Sequence, residues 1–171
     1  MTNPSAPNSI RTPVNMRKRL IPPNPGDTSV GQPDWLGLET AAEAEVTSED
    51  PGFPIESALG IAPGPGWRAS TPGTQTIRLL FDHPLTVRRI HLEFREEQRE
   101  RTQEFLLRWS PNGGQTWRDI VRQQFNFNSG ATRETEDYRV QLDHATAFEI
   151  QIIPDLTHRE AIASLHRLQI A

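Results

Sequence analysis

Between Phe105 and Trp117 the chain reads F-L-L-R-W-S-P-N-G-G-Q-T-W. Phe105, Leu107 and Trp109 alternate with other residues, a turn follows at Pro111-Asn112-Gly113-Gly114, and a second strand opens on an aromatic. Asn-Gly supplies the positive φ angles that a short hairpin turn needs, and the alternation gives each arm one buried face, so the segment predicts a β-hairpin. Such a hairpin needs a sheet to belong to. The rest of the chain after Trp35 supplies candidates: Ile77, Leu79 and Phe81 share one strand face, Ile90, Leu92 and Phe94 share the next, and Tyr138, Val140 and Leu142 repeat the pattern. Phe148, Ile150 and Ile152 follow, and Leu165, Leu168 and Ile170 close the chain. Asp82-His83-Pro84 and Leu142-Asp143-His144-Ala145 are expected to link consecutive strands tightly. Short alternating strands separated by turn residues predict an all-β, antiparallel β-sandwich of jelly-roll type. Leu38 to Val46 is ambiguous, because its Ala and Glu content suits a helix while its position suits an entry strand.

A chain of 171 residues accommodates one such domain and a tail. The tail is expected at residues 1–34, where Pro, Asn, Ser, Gly and Thr crowd out any helical or strand period. Seven of the fifteen prolines lie in this stretch, so it reads as an extended arm preceding a domain over 35–171. Within the arm, Met16-Arg17-Lys18-Arg19-Leu20-Ile21 is a basic-apolar patch, either a solvated charge cluster or a docking element. The chain has no cysteine, which removes disulfides and thiolate metal sites. A formal charge of −4 argues against a nucleic-acid binder. No apolar run is long enough to span a bilayer, and the N-terminus has no apolar leader core, so the cytoplasm is the expected location. Gly-x-Ser-x-Gly, phosphate-cradling and His-Glu-x-x-His motifs are all missing, and a non-enzyme is expected.

The order of these signals resembles the factor V/VIII type C (discoidin) family, whose members share a galactose-binding-like jelly roll. The residues that carry the resemblance run from about Leu38 to Ala171. They are Ala44-Glu45-Val46-Thr47-Ser48, the loop through Asp50-Pro51-Gly52-Phe53, Ser57-Ala58-Leu59-Gly60, Gly66-Trp67-Arg68-Ala69-Ser70, the strands at Gln75–Phe81 and Val87–Phe94, the hairpin, and Ala163–Ile170. The fold hosts sugar, lipid, peptide and protein binders. The resemblance implies a structural calcium held by an Asp in an Ala-x-Asp-Gly turn and a Glu near the C-terminus. Here those places hold Leu59 and Ser164, which supply no charged oxygen, so no cofactor is expected, and a structural calcium would have to use backbone carbonyls of the Ile61–Gly66 loop or Glu56 instead.

By the same resemblance, sugar-binding relatives use rim loops, with an aromatic under the ring and polar groups on its hydroxyls. Arg95 matches their Arg, and Arg68 stands where they carry a His. The stacking aromatic just beyond is replaced by Ser70 and Thr71, and the late-loop aromatic falls at His158 or Arg159. Phe53 lies on a loop that makes contacts in several relatives. Phe127 and Asn128 are added by the residues themselves: in Gln123–Gly130 the phenylalanines alternate, and the asparagines suit a binding edge. Trp67, Trp109 and Trp117 are expected in the core. The run Arg95–Arg101 is expected to be a solvated, self-neutralising loop. Two functions follow as expectations: a non-catalytic carbohydrate-binding module with Arg95, Arg68, Phe53, Phe127, Asn128, His158 and Arg159 at its rim, or an intracellular adaptor that docks a protein partner through the same loops and the arm.

Overall fold

The computed structural model describes residues 34–171; the expected arm and its basic patch lie outside the described residues. The ambiguous entry segment is both things in turn. A single helical turn, α1 (Leu38–Ala41), buries Leu38, and the chain then extends into β1 (Ala42–Val46). A second short turn, α2 (Glu56–Leu59), precedes β2 (Trp67–Pro72). The remaining strands are β3 (Gln75–Arg95), β4 (Arg101–Ser110), β5 (Arg118–Phe127), β6 (Arg133–Ile153), β7 (Ile162–Leu165) and β8 (Arg167–Ile170).

The two expected tight links prove to be bends. β3 and β6 each run 21 residues and pair antiparallel along their whole lengths, from Gln75 opposite Ile152 to Arg95 opposite Arg133. Asp82-His83-Pro84 lies at the register shift between Leu80 and Leu85 of β3, and Asp143-His144 lies opposite the shift between Leu85 and Val87. His144 takes φ 59° there. Extra residues on one strand of a pair bend it and increase its twist, and such bends let strands pass from one sheet of a sandwich to the other. The turn-forming residues thus redirect a ribbon without reversing it.

Each half of the ribbon then recruits its own neighbours. β1 joins the first half of β3, and β4 joins the second half of β6 with β5 beyond it. β8 joins the second half of β3 at Ile90–Glu93. The halves face one another through aromatic packing: Phe94 of β3 lies 5.3 Å from the ring of Phe105 on β4 and 5.3 Å from that of Phe125 on β5. Ile77, Leu79, Ile90, Leu92, Phe148, Ile150, Ile152, Leu165, Leu168 and Ile170 are all buried in this core, as their spacing predicts. β2 pairs with β7 in a small separate ribbon, with Trp67 opposite Leu165. The architecture is an all-β jelly-roll sandwich.

The hairpin is present, with a longer connection than Asn-Gly alone predicts. The Asn112 side-chain oxygen accepts from the backbone N–H and hydroxyl of Thr116 at 3.0 and 3.2 Å. The Ser110 hydroxyl accepts from the Asn112 and Gly114 N–H groups at 3.2 and 2.9 Å. Gly113 and Gly114 supply the positive φ angles, 68° and 84°. Trp117 therefore precedes β5 and is half-buried, with the Arg78 and Arg108 guanidinia each 5.6 Å from its ring. Those arginines flank the buried Glu149 carboxylate on the sheet's outer face, so Trp117 covers an ion cluster where a core position was expected. Trp109 is half-buried against the core, and Trp67 is fully buried as expected.

Removing a fully buried aromatic between the layers leaves a void that neighbouring strands cannot collapse into. Phe105→Ala is expected to lower the unfolding free energy by about 3–5 kcal/mol, with an unchanged denaturant slope in a urea titration.

Candidate binding cleft

Where β2, β7, the end of β3 and the segment 155–161 meet, they enclose a cleft of about 1240 Å³. Five of the seven residues expected at the site line it: Phe53, Arg68, Arg95, His158 and Arg159. They come from separate parts of the chain, and the fold has to bring them together. Gly66 helps: at φ +83° it lies so close to the β7–β8 junction that a Cβ would sit 2.7 Å from the Leu165 carbonyl oxygen and 2.8 Å from the His166 Cα. No side chain fits there, and the close approach lets β2 enter the wall.

Three exposed polar groups of the cleft, Arg95, His158 and Arg68, are held from behind. Arg95 is about half exposed, but its Nε donates to the Glu93 carboxylate at 2.6 Å. Glu93 is itself buried; it also accepts from Arg133 at 2.9 Å and lies 3.7 Å from His166 Nε2. Burial opposes ionisation of Glu93, yet Arg95, His166 and Arg133 together outweigh it and hold its carboxyl below the usual carboxylate range. Burial, reinforced by Arg95, pushes the His166 imidazole down, against the pull of Glu93. Glu93 thus fixes the direction in which the Arg95 guanidinium points.

His158 is held in the same manner. Its Nδ1 lies 3.0 Å from the buried Asp155 carboxylate, which also accepts from the Thr157 N–H and hydroxyl at 2.9 and 2.8 Å. Burial disfavours the Asp155 carboxylate, but these bonds prevail and keep its pKa low. A carboxylate at Nδ1 selects the tautomer with the proton on that nitrogen, in which Nε2 of the 79% exposed ring is the acceptor. Arg68 is steadied by an aromatic: its guanidinium lies 4.1 Å from the centre of the half-buried Phe53 ring. Backbone bonds tie that pair together, Arg68 N–H donating to the Phe53 carbonyl at 3.1 Å and Asp50 N–H to the Arg68 carbonyl at 2.9 Å. Arg159 is exposed at the cleft mouth.

The two remaining candidates lie outside this cleft. Phe127 is 2% exposed, with its ring edge-on to Phe125 at 4.9 Å, so the alternation that suggested a binding edge buries it. The Asn128 side-chain oxygen accepts from the Gly130 N–H at 2.9 Å and so closes its own turn. Both residues border a separate recess of about 330 Å³ next to the cleft. The run Arg95–Arg101 also differs from its expectation. Arg101 is a buried residue at the head of β4, ion-paired to Glu96 at 3.2 Å. Glu93, Asp155, Glu96 and Arg101 have no counterpart among the candidates drawn from the sequence. Strict alternation would put Glu93 on the solvent side, and no local motif marks the other three.

The residues at the calcium positions do not fit a metal. Leu59 is buried in the core, and Ser164 lines the cleft. Among the described residues no three His, Cys, Asp or Glu side chains cluster as metal ligands. No helix among them is long and apolar enough to cross a membrane.

No protein-family model matches the chain. No curated protein matches it either. Solved structures do, over most of the described domain. The module designated 3 of carbohydrate-binding family 32, from a family 31 glycoside hydrolase of Clostridium perfringens, superposes with a TM-score of 0.61 at 14% identity, covering 80% of this chain and 93% of that one. The family 32 module of Clostridium perfringens NanJ in complex with galactose gives 0.59 at 15% identity, covering 80% and 96%. A chitosan-binding module from a chitosanase/glucanase of Paenibacillus sp. IK-5 gives 0.56 at 16%, covering 80% and 98%. The chain therefore has the galactose-binding-like, discoidin-type fold of these carbohydrate-binding modules.

The carboxylates behind the cleft make its framework acid-sensitive. Glu93 and Asp155 have folded pKa values below their ordinary values of 4.5 and 3.8. Their stabilisation is complete above those values and is lost as pH falls through the lower, folded ones. Melting temperature is expected to fall below about pH 4, and Glu93→Gln should flatten that acid limb in a pH series of thermal melts.

Proposed function

We propose that this chain is a non-catalytic carbohydrate-binding module that takes a glycan in the cleft between β2, β7 and the segment 155–161. One observation carries the reading: residues nominated as sugar contacts from distant parts of the sequence line one cleft, and a fixed partner orients each of Arg68, Arg95 and His158. A sugar edge presents hydroxyls that both donate and accept. Arg68 and Arg95 supply donors, and His158 Nε2 supplies an acceptor. Phe53 with Arg68 stacked on it forms a flat wall that suits the C–H face of a pyranose. Donors held in place before the ligand arrives lose less side-chain entropy on binding, and a shallow sugar site depends on that economy. The neighbours' ligands, galactose for the NanJ module and chitosan for the Paenibacillus one, agree with this class of partner. The adaptor reading draws no comparable support from them.

The test is a glycan array followed by calorimetry on the best ligand. Arg95→Ala and Arg68→Ala are each expected to weaken binding on the order of ten- to a hundredfold, the loss of a charge-assisted hydrogen bond. The thermal unfolding of Arg68→Ala should stay close to that of the parent, since its side chain is exposed, whereas Arg95→Ala should also lower the melting temperature, because it leaves the buried Glu93 with only Arg133 and His166. A blank array, or ligand affinity that survives both substitutions, would refute the proposal.

A further inference from the structure

At the deep end of the cleft sits a guanidinium that the glycan-binding reading does not use. The Arg101 side chain is 6% exposed and lines both the cleft and the small recess beside it. Its Nη1 donates to the Ile162 carbonyl at 2.9 Å and lies 3.2 Å from Glu96 Oε2, and its Nη2 donates to Gln103 Oε1 at 3.2 Å. Its Nε–H has no acceptor, and neither has the buried Nε2 of Gln103. A buried N–H without a partner is rare and costly. Gln103 does not line the cleft, so it is the Arg101 guanidinium, with its Nε–H unpartnered, that brings to the cleft wall more donor capacity than the protein satisfies. Burial, joined by Arg99, also lowers the Arg101 pKa against the pull of Glu96 and Asp155.

Glu96 is the second half of the argument. It stands at the start of the loop that joins β3 to β4, and one carboxylate oxygen, Oε1, accepts the Gln98 and Arg99 N–H groups at 2.8 and 3.2 Å. The other oxygen reaches Arg101. A carboxylate carried on an exposed loop therefore occupies a buried arginine inside a ligand cleft, in the seat that a carboxylate from outside would take. Planar guanidinium forks favour carboxylates over neutral hydroxyls, because two charge-assisted bonds can form at once.

We propose that Arg101 anchors an acidic subsite of the cleft, which holds the carboxylate of a uronic-acid-bearing glycan, and that Glu96 is a resident stand-in such a ligand displaces. This rests on the glycan-binding reading and narrows it to a substrate class. Arg95, Arg68 and His158 would contact the hydroxyls of the same glycan nearer the mouth.

The test is side-chain NMR of the full chain labelled with ¹⁵N-arginine, titrated with sodium glucuronate and, separately, with glucose. The Arg101 Nε resonance is expected to move saturably with glucuronate and to stay still with glucose. Glu96→Gln keeps an oxygen for the Gln98 and Arg99 N–H groups but removes the competing charge, and should tighten glucuronate binding on the order of tenfold. If Arg101 stays still in parent and variant while either sugar moves Arg95, the acidic subsite is wrong and the binding module stands. If neither arginine moves with either sugar, the acidic subsite is wrong, and the glycan array alone decides the binding module. Should glucuronate move Arg101 with equal affinity in both proteins, the displacement of Glu96 is overturned.

Discussion

A single bent ribbon organises this molecule. β3 and β6 pair over their full length, and the irregularities around Leu80–Leu85 and Leu142–Ala145 turn their two halves into different layers. β1, β4 and β8 each pair with one half or the other, β5 adds to β4, and β2 with β7 forms a ribbon of its own. Bends of this kind put Glu93 and Arg95 at the far end of β3, beside β8 and against the β2–β7 ribbon. The cleft is accordingly a product of the bend: without it, the end of β3 and the loop after it would lie in the plane of one extended sheet.

The cleft follows a second rule. The three side chains proposed as contacts are exposed, and the groups that orient them are buried or packed. Glu93 stands behind Arg95, Asp155 behind His158, and Phe53 beneath Arg68. A buried carboxylate left unpaired would be strongly destabilising, so each acid and its partner enforce one another's position. Arg101 with Glu96 has the same components in the reverse arrangement, with the cation buried and the acid on the loop. That reversal is why the pair reads as a ligand seat, whereas Glu93–Arg95 reads as a support.

Most of the fold was legible in the sequence because period-two alternation reports one-sided burial directly. The strands around Ile77, Ile90, Phe148 and Leu168 all place their apolar residues where the alternation says. The bends were not legible: Asp82-His83-Pro84 has turn chemistry, and only the partner strand decides whether such residues reverse a chain or bulge it. Trp117 misled for a related reason, since hydrophobicity suggests the core while the position just before β5 leaves the ring over Arg78 and Arg108. Of the candidate cleft, the five lining residues that echo a family pattern were visible. Glu93 and Asp155 were not, because an acid on a strand reads as solvent-facing until the arginine or histidine it serves is placed beside it in space. Phe127 and Asn128 show the opposite error, where a pattern compatible with a binding edge is satisfied by core packing and a local turn.

The pairing of Gln75 with Ile152 also governs how the molecule comes into being. The ribbon's outer end joins residues far apart along the polymer, and closing so large a loop costs entropy before any contact repays it. A nascent chain emerging from the ribosome can form the β4–β5 hairpin early, since its turn is local. It cannot close the first layer until Ile153 has been made. Acquisition of the native state should therefore be slow and late, set by a long-range encounter between distant segments.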